Sequence, residues 1–518
     1  MKQISRLLIL FTILISIVLF PLSSNALGND PKEINLLLDA DTIKIENFIK
    51  EQMDNELIPG ISIAIVQKGD TIYQKGFGYS DIESKKPVTS ESLFEIGSNS
   101  KAFTALGILN LQNEGLISLE DEVSKYIPWL IVKYQGKEVP ITLEELLHHT
   151  SGIPFKTIDK LPISNEDNAL EETVKNLINI ELDSKPGEWY QYATINYDVL
   201  GLIIQNVTGS TYEEYIEKSI LKPMGLNNTY LFHNESVDEN LAQGYKLGFL
   251  KPRLYNAPVY RGNKPAGYIL SSAEDMAKWL KIQMGNEETS KFSKALVADS
   301  HIPNQRVEPR SNGSRYAAGW FILPAEKGGE TFHGGNNPSY SSFIVFRPES
   351  QIGIAVLSNT NSESISVIAR GINDIMQNKF EIEEVTDMNK RADRIAVIII
   401  TFFGLLNLWT LYSAIIALKQ IFKKEREFVG TGIKNVLKVC FSFIFMLGLS
   451  YCIYMIPYIA YSGVTWGFVF VWLPGTVKTA LYLVYIGVWL LYTYVLLTGL
   501  YKKKNRNFKR KNTIDLKQ

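Results

Sequence analysis

Three uninterrupted apolar runs occupy the C-terminal third of the chain, at residues 395–418, 439–461 and 479–500. No other feature restricts the backbone so tightly. In hydrocarbon every N–H and C=O must find its partner within the segment, so each run is read as a spanning helix. A shorter apolar piece, "VTWGFVFVWLPG", lies between the second and third and ends at Pro474-Gly475. It is too short to cross a membrane and is expected to be interfacial or re-entrant.

Charge supplies a direction. The formal net charge of −1 conceals an asymmetry. Residues 27–390 sum to about −16, whereas residues 501–518 sum to about +7. The acidic body argues against a nucleic acid partner. The connection after the first run carries Lys419, Lys423, Lys424, Arg426, Lys434 and Lys438, while that between the second and third has only Lys478. Basic segments stay cytoplasmic. Three spans (395–500) therefore place the body outside the cell membrane and the basic tail, 501–518, against the inner lipid surface of the bilayer.

The N-terminus agrees. Lys2 and Arg6 precede the apolar core "LLILFTILISIVLFPL", and Ser24-Asn25-Ala26 offers small residues for cleavage. Residues 1–26 read as a secretory signal peptide, with an uncleaved anchor as the alternative; both export the downstream chain. The two cysteines, Cys440 and Cys452, lie in the apolar third, so the exported body, residues 27–380, has no disulfide to hold it. The charged stretch 381–394 reads as a linker.

Within the body, "ISIAIVQKGDTIYQKGFGYS" has two β-rich runs about Lys68-Gly69-Asp70, and "SFIVFRPESQIGIAVLSN" repeats the hairpin pattern near the other end. Helical spacing occurs between them, at 101–113, 142–149, 197–207 and 272–284. Strands at both ends with helices between predict an α+β fold, one sheet assembled from distant segments with helices packed on it.

Ser98-Asn99-Ser100-Lys101 opens one of those helices. Residues three apart share a helical face, so the Lys101 amine can reach Ser98 Oγ. A serine becomes nucleophilic when an adjacent base takes its proton, and a buried lysine can be that base. The competing reading is a plain N-cap, which serine favours. Ser219-Ile220-Leu221-Lys222 shows that the spacing also arises without chemistry. His148-His149 lack the companions of a metal motif, and His233 and His301 read as surface residues. Trp189, Tyr190 and Tyr197 read mostly as core.

Two further motifs accompany the first: Tyr192-Ala193-Thr194 before a helix, and His333-Gly334-Gly335 at a strand. With "ITLEELLHHTSGIP", "NYDVLGLII" and "LKPMGLNNT", the chain resembles the penicillin-recognising serine hydrolases, the class C β-lactamases and D-alanyl-D-alanine carboxypeptidases. The resemblance runs from about residue 47 to 378. It implies a β-lactamase/transpeptidase-like sheet, an acyl-enzyme mechanism and no cofactor or metal. It casts Ser98 as nucleophile, Lys101 as base and Tyr192 as proton relay. It places His333, Gly334, Gly335, Asn336 and Thr194 at the substrate, with the backbone N–H groups of Ser98 and Asn336 as oxyanion hole. His333 replaces the usual lysine, which suggests a switchable charge, and Thr194 replaces the usual asparagine, which weakens the case for efficient β-lactam hydrolysis.

The implied substrates are small peptides, amides or esters bearing D-amino acids. A peptidase domain followed by three spans also resembles the colibactin-maturing peptidases, which remove an N-acyl-D-asparagine cap. Other readings left open are a β-lactamase or esterase, and a β-lactam or muropeptide receptor that does not turn over. Pairing of the spans into a homodimer is likewise left open.

Overall fold

The computed structural model describes residues 34–232, 235–379 and 387–504. The expected signal peptide, His233 and most of the basic tail lie outside them.

Nine strands form the main sheet: β1 (Ile34–Asn35), β2 (Gly60–Gln67), β3 (Asp70–Asp81), β4 (Lys86–Pro87), β5 (Arg315–Tyr316), β6 (Phe321–Leu323), β7 (Glu330–Asn337), β8 (Tyr340–Arg347) and β9 (Ile352–Ser358). Their order is β1-β3-β2-β9-β8-β7-β6-β5, with β4 paired to β3. Both expected hairpins are present. The first turns at Lys68 (φ 52°) and Gly69 (φ 89°), the left-handed pair that a two-residue hairpin needs. The two hairpins join where β9 pairs antiparallel with β2, Ile354 opposite Ile65. The sheet is thus closed by segments nearly three hundred residues apart.

Strand β2 shows why the sheet is covered on both faces. Its alternation sends Ile61, Ile63 and Ile65 into one core, and Ala64 and Val66 into the other. The first core is completed by α1 (Asp39–Glu56) and by α5 (Ser364–Met376). The second holds α2 (Ser100–Asn113), α3 (Ile195–Thr208) and α4 (Ala273–Gln283). Ser272 caps α4 by accepting from Asp275 N at 3.2 Å. The catalytic candidates lie on this second side.

Three helices are long and apolar enough to cross a membrane: α6 (Met388–Phe422), α7 (Ile433–Ala460) and α9 (Gly475–Leu500). Between the last two lies α8 (Trp466–Trp472), formed by the short apolar piece. The stretch read as a linker is in part helix, because α6 begins at Met388. Asp387 starts it, accepting from Asn389 N (2.8 Å) and Lys390 N (3.1 Å), and it also accepts from Glu363 N (2.9 Å) and from the Ser362 hydroxyl. One carboxylate therefore caps the long helix and pins it to the sheet domain. Farther along, Asp393 accepts from Leu250 N at 2.6 Å and from the Thr476 hydroxyl. Lys246 Nζ donates to Phe470 O (3.0 Å) and Val471 O (2.9 Å), and Thr465 Oγ1 donates to Asp159 Oδ1 (3.0 Å). The short apolar helix is thereby bonded to the body at both ends.

Asp387→Ala removes a cap worth about 1 kcal/mol and leaves Glu363 N unpartnered. The expected outcome is faster protease cleavage around residues 380–390 of detergent-solubilised protein, with the sheet domain still protected. Unchanged cleavage would show that the junction is held elsewhere.

Candidate active site

Residues 97–99 form a single 3₁₀ turn before α2, entered through Gly97 at φ +53°. Ser98 stands in that turn, and neither the turn nor α2 has a side-chain cap. Its hydroxyl is therefore not spent on the helix. Instead Ser98 Oγ lies 2.9 Å from Lys101 Nζ and 2.8 Å from Tyr192 OH. Ser219 and Lys222, by contrast, belong to a separate helical segment, where Lys222 pairs with Glu217 at 2.8 Å.

Lys101 is fully buried. Its Nζ contacts Ala266 O at 2.6 Å and Thr194 Oγ1 at 3.3 Å, as well as Ser98. It also lies 5.1 Å from the centre of the Tyr192 ring and 5.7 Å from that of Tyr197. Burial lowers its pKa to about 7, opposed by the charge of Asp198. A neutral amine has two N–H groups and one lone pair. Ala266 O and Thr194 Oγ1 can take the first two, leaving the lone pair for the Ser98 proton. Burial raises the Tyr192 pKa, although its bond to Ser98 opposes the shift. Tyr192 thus remains a phenol and donates, so of the two neighbours the lysine is the one able to accept a proton.

Thr194 is buried and its hydroxyl is engaged by Lys101. Its observed partner is the lysine, a contact that the expected binding role did not include. Asn336, in contrast, is exposed on β7. Strand β6 covers β7 only as far as Phe332, so residues 333–337 keep a free edge. That edge is pressed against the serine turn. A Cβ on Gly97 would stand 2.5 Å from Asn336 N, and one on Gly335 would stand 1.9 Å from Ile96 O. Neither position can carry a side chain without moving backbone. The approach sets the backbone of residues 335–336 directly against the turn that carries Ser98.

His333 is buried, with Nε2 3.1 Å from Tyr316 OH and Nδ1 2.7 Å from Gly334 O. Burial, with the nearby Lys101 charge, lowers its pKa to about 3. The expected switchable charge is therefore corrected: His333 is neutral near pH 7 and orients Tyr316. His301 is not a surface residue either. It sits half-buried beside Trp320 and bonds Gln283 Oε1 at 2.8 Å. Trp189 is half exposed, whereas Tyr197 is core.

Two residues of the site escaped the motifs. Asp198 is buried one turn into α3 and accepts from Asn263 Nδ2 at 2.6 Å; burial pushes its carboxyl well up, and when ionised it raises the Lys101 pKa. The signal was an aspartate inside the apolar run "NYDVLGLII". His149 is buried at φ +55°, its ring 4.3 Å from that of Tyr192. Its carbonyl accepts from Gln191 N at 2.7 Å, which steadies the segment that carries the tyrosine.

A family profile described as Beta-lactamase matches residues 45–375. The chain belongs to the β-lactamase family. It is a β-lactamase-fold member of the serine hydrolases. It is 33% identical over 451 residues to Protein flp of Staphylococcus aureus (strain MRSA252), covering 86% of this chain and 88% of that protein. Residues 1–390 alone could not supply that share, so the similarity enters the apolar third. Penicillin-binding protein 4* of Bacillus subtilis (strain 168) is 29% identical over 331 residues, 58% of this chain and 68% of its own length. Among solved structures, the octameric penicillin-binding protein homologue from Pyrococcus abyssi superposes with a TM-score of 0.60 at 34% identity, covering 69% of this chain and 81% of that one.

Gly335→Ala forces β7 away from the serine turn. Overpacking of this kind costs about 1–3 kcal/mol, and a displaced oxyanion donor costs about 10²–10³ in rate. Serine acylation rate and thermal midpoint, measured on the same preparation, are expected to fall together, the rate by far the more. Wild-type acylation would mean that the strand does not shape the site.

Proposed function

We propose that the protein is a membrane-anchored, extracytoplasmic serine hydrolase that forms an acyl-enzyme at Ser98 with amides or esters, chiefly those containing D-amino acids. The observation that carries this reading is Ser98 Oγ held between a buried Lys101 amine at 2.9 Å and the Tyr192 phenol at 2.8 Å.

In the proposed sequence Lys101 takes the Ser98 proton as Oγ attacks the carbonyl carbon. Negative charge on the former carbonyl oxygen is met by the amides of Ser98 and Asn336. Tyr192 passes a proton to the departing amine or alcohol and is replenished from Lys101, so the proton lost by the serine leaves with the product. Water then attacks the ester along the same line of groups. His333 takes no proton in this scheme. The Asn336 side chain, exposed beside the nucleophile, is the group offered to the substrate's backbone or side-chain amide.

The three apolar helices and their flanking lysines support anchoring with the sheet domain outside. The direct bonds from Asp387, Asp393 and Lys246 support a catalytic domain held at a fixed height over the bilayer rather than on a loose tether. The family's penicillin-binding relatives support D-amino-acid substrates.

Intact-mass analysis after exposure to a fluorescent penicillin tests the reading. One adduct is expected on the wild type and none on Ser98→Ala. A persistent label indicates slow deacylation, and a transient one indicates β-lactam hydrolysis. Labelling that survives Ser98→Ala would contradict the assignment. Acylation also requires neutral Lys101. Its rate is expected to rise about tenfold per pH unit below pH 7 and to level above it, a limb unchanged in His333→Gln. A flat profile from pH 5 to 8 would contradict a lysine base.

A further inference from the structure

Beside the nucleophile lies a cavity of about 640 Å³ that none of Ser98, Lys101 and Tyr192 lines. Glu95 does line it, together with the rings of Phe232, Tyr255, Tyr260, Tyr268 and Tyr340. Glu95 precedes Ser98 by three residues, so their Cα atoms are at most about 11 Å apart. The connection is closer than sequence alone implies. Asn337 Nδ2 donates to Glu95 Oε2 at 2.6 Å and to Gly267 O at 2.8 Å, while Asn336 next to it flanks the serine. Ala266, beside Gly267, supplies the carbonyl that holds Lys101. Two lining residues, Glu95 and Tyr268, thus sit three residues from Ser98 and two from Ala266, on separate segments.

The charges around this cavity do not cancel at Glu95. Arg261 is engaged by Asp167 at 2.7 Å and by Glu213 at 3.1 Å, and Lys264 by Glu213 at 3.3 Å. Lys264 already lies over the Phe232 ring, and Lys246 lies over Tyr255 while donating to α8. Among the described residues Glu95 has no ion-pair partner, and its one side-chain bond is to a neutral amide. Tyr260 and Tyr268 stand 5.9 Å apart, with no cation among the described residues on either ring. A half-buried carboxylate without a counter-charge is disfavoured, and here partial burial raises the Glu95 pKa to about 7 although the bond from Asn337 opposes it. An arriving cation would remove that penalty and gain the faces of two phenol rings.

We propose that this cavity is a substrate subsite for a positively charged amine, anchored by the Glu95 carboxylate against Tyr260 and Tyr268. The proposal rests on the hydrolase reading for its biological meaning, since it makes the preferred substrates those that carry a free amine near the scissile bond. Its physical content is separate: the cavity selects an ammonium over a neutral isostere.

The test is calorimetric binding to the full-length Ser98→Ala protein in detergent at pH 7.5, with benzylammonium compared against benzyl alcohol. At least ~10-fold tighter binding of the cation is expected. Glu95→Gln keeps the shape and the bond to Asn337 and is expected to abolish that ratio; Tyr268→Leu is expected to reduce it several-fold. Equal affinity for the two probes, or a ratio that survives Glu95→Gln, would overturn the proposal. Because the assay needs no turnover, absence of penicillin labelling on the wild type would sink the hydrolase reading alone, leaving the amine subsite judged by its own ratio.

Discussion

The site depends on a single burial. Lys101 has no exposed surface, and removing its amine from water lowers its pKa to about 7. In solvent the same side chain would be an ammonium and could not accept a proton. The surrounding structure serves that burial: Ala266 O and Thr194 Oγ1 occupy its N–H groups, the Tyr192 and Tyr197 rings exclude water, and Asp198 limits how far the pKa falls. Four of these groups come from residues 192–198 and the fifth, Ala266, from a segment far away in the chain. The reactive serine therefore exists only after the sheet, α2 and α3 have assembled.

That assembly explains why the fold places distant segments side by side. β2 and β9 pair at the centre of the sheet, and β7 presses its glycines against the turn that carries Ser98. The close approach of Gly97 and Gly335 is a backbone-to-backbone contact, which only residues without Cβ permit. The free edge of β7 beside that turn begins where β6 stops pairing, after Phe332.

Much of this was legible in the residues. The hairpins announced themselves by β-rich runs around Lys68-Gly69 and Pro348-Glu349-Ser350, and α2 by apolar spacing. The three candidate catalytic side chains lie within two short motifs, Ser98 to Lys101 and Tyr192 to Thr194, so their chemistry could be read in order along the chain. What could not be read was environment. His333 and Thr194 have the polar groups of substrate contacts, yet burial leaves one neutral and the other bound to Lys101. Nothing in the sequence marks Asp198 and Glu95 out among the carboxylates, because their meaning depends on neighbours far away in sequence. Residues 388–394 looked like a charged linker because the Asp387 cap and the Asp393 contacts that fix the helix to the body are tertiary.

The central claim is that Lys101 is neutral near physiological pH because it is buried. It can be measured directly by titrating the 13Cε resonances of labelled lysines, with Lys101 assigned by its loss in Lys101→Met. The account expects one lysine to titrate near pH 7, well below the others. Titration of Lys101 near 10.5 would contradict it and remove the base from the mechanism.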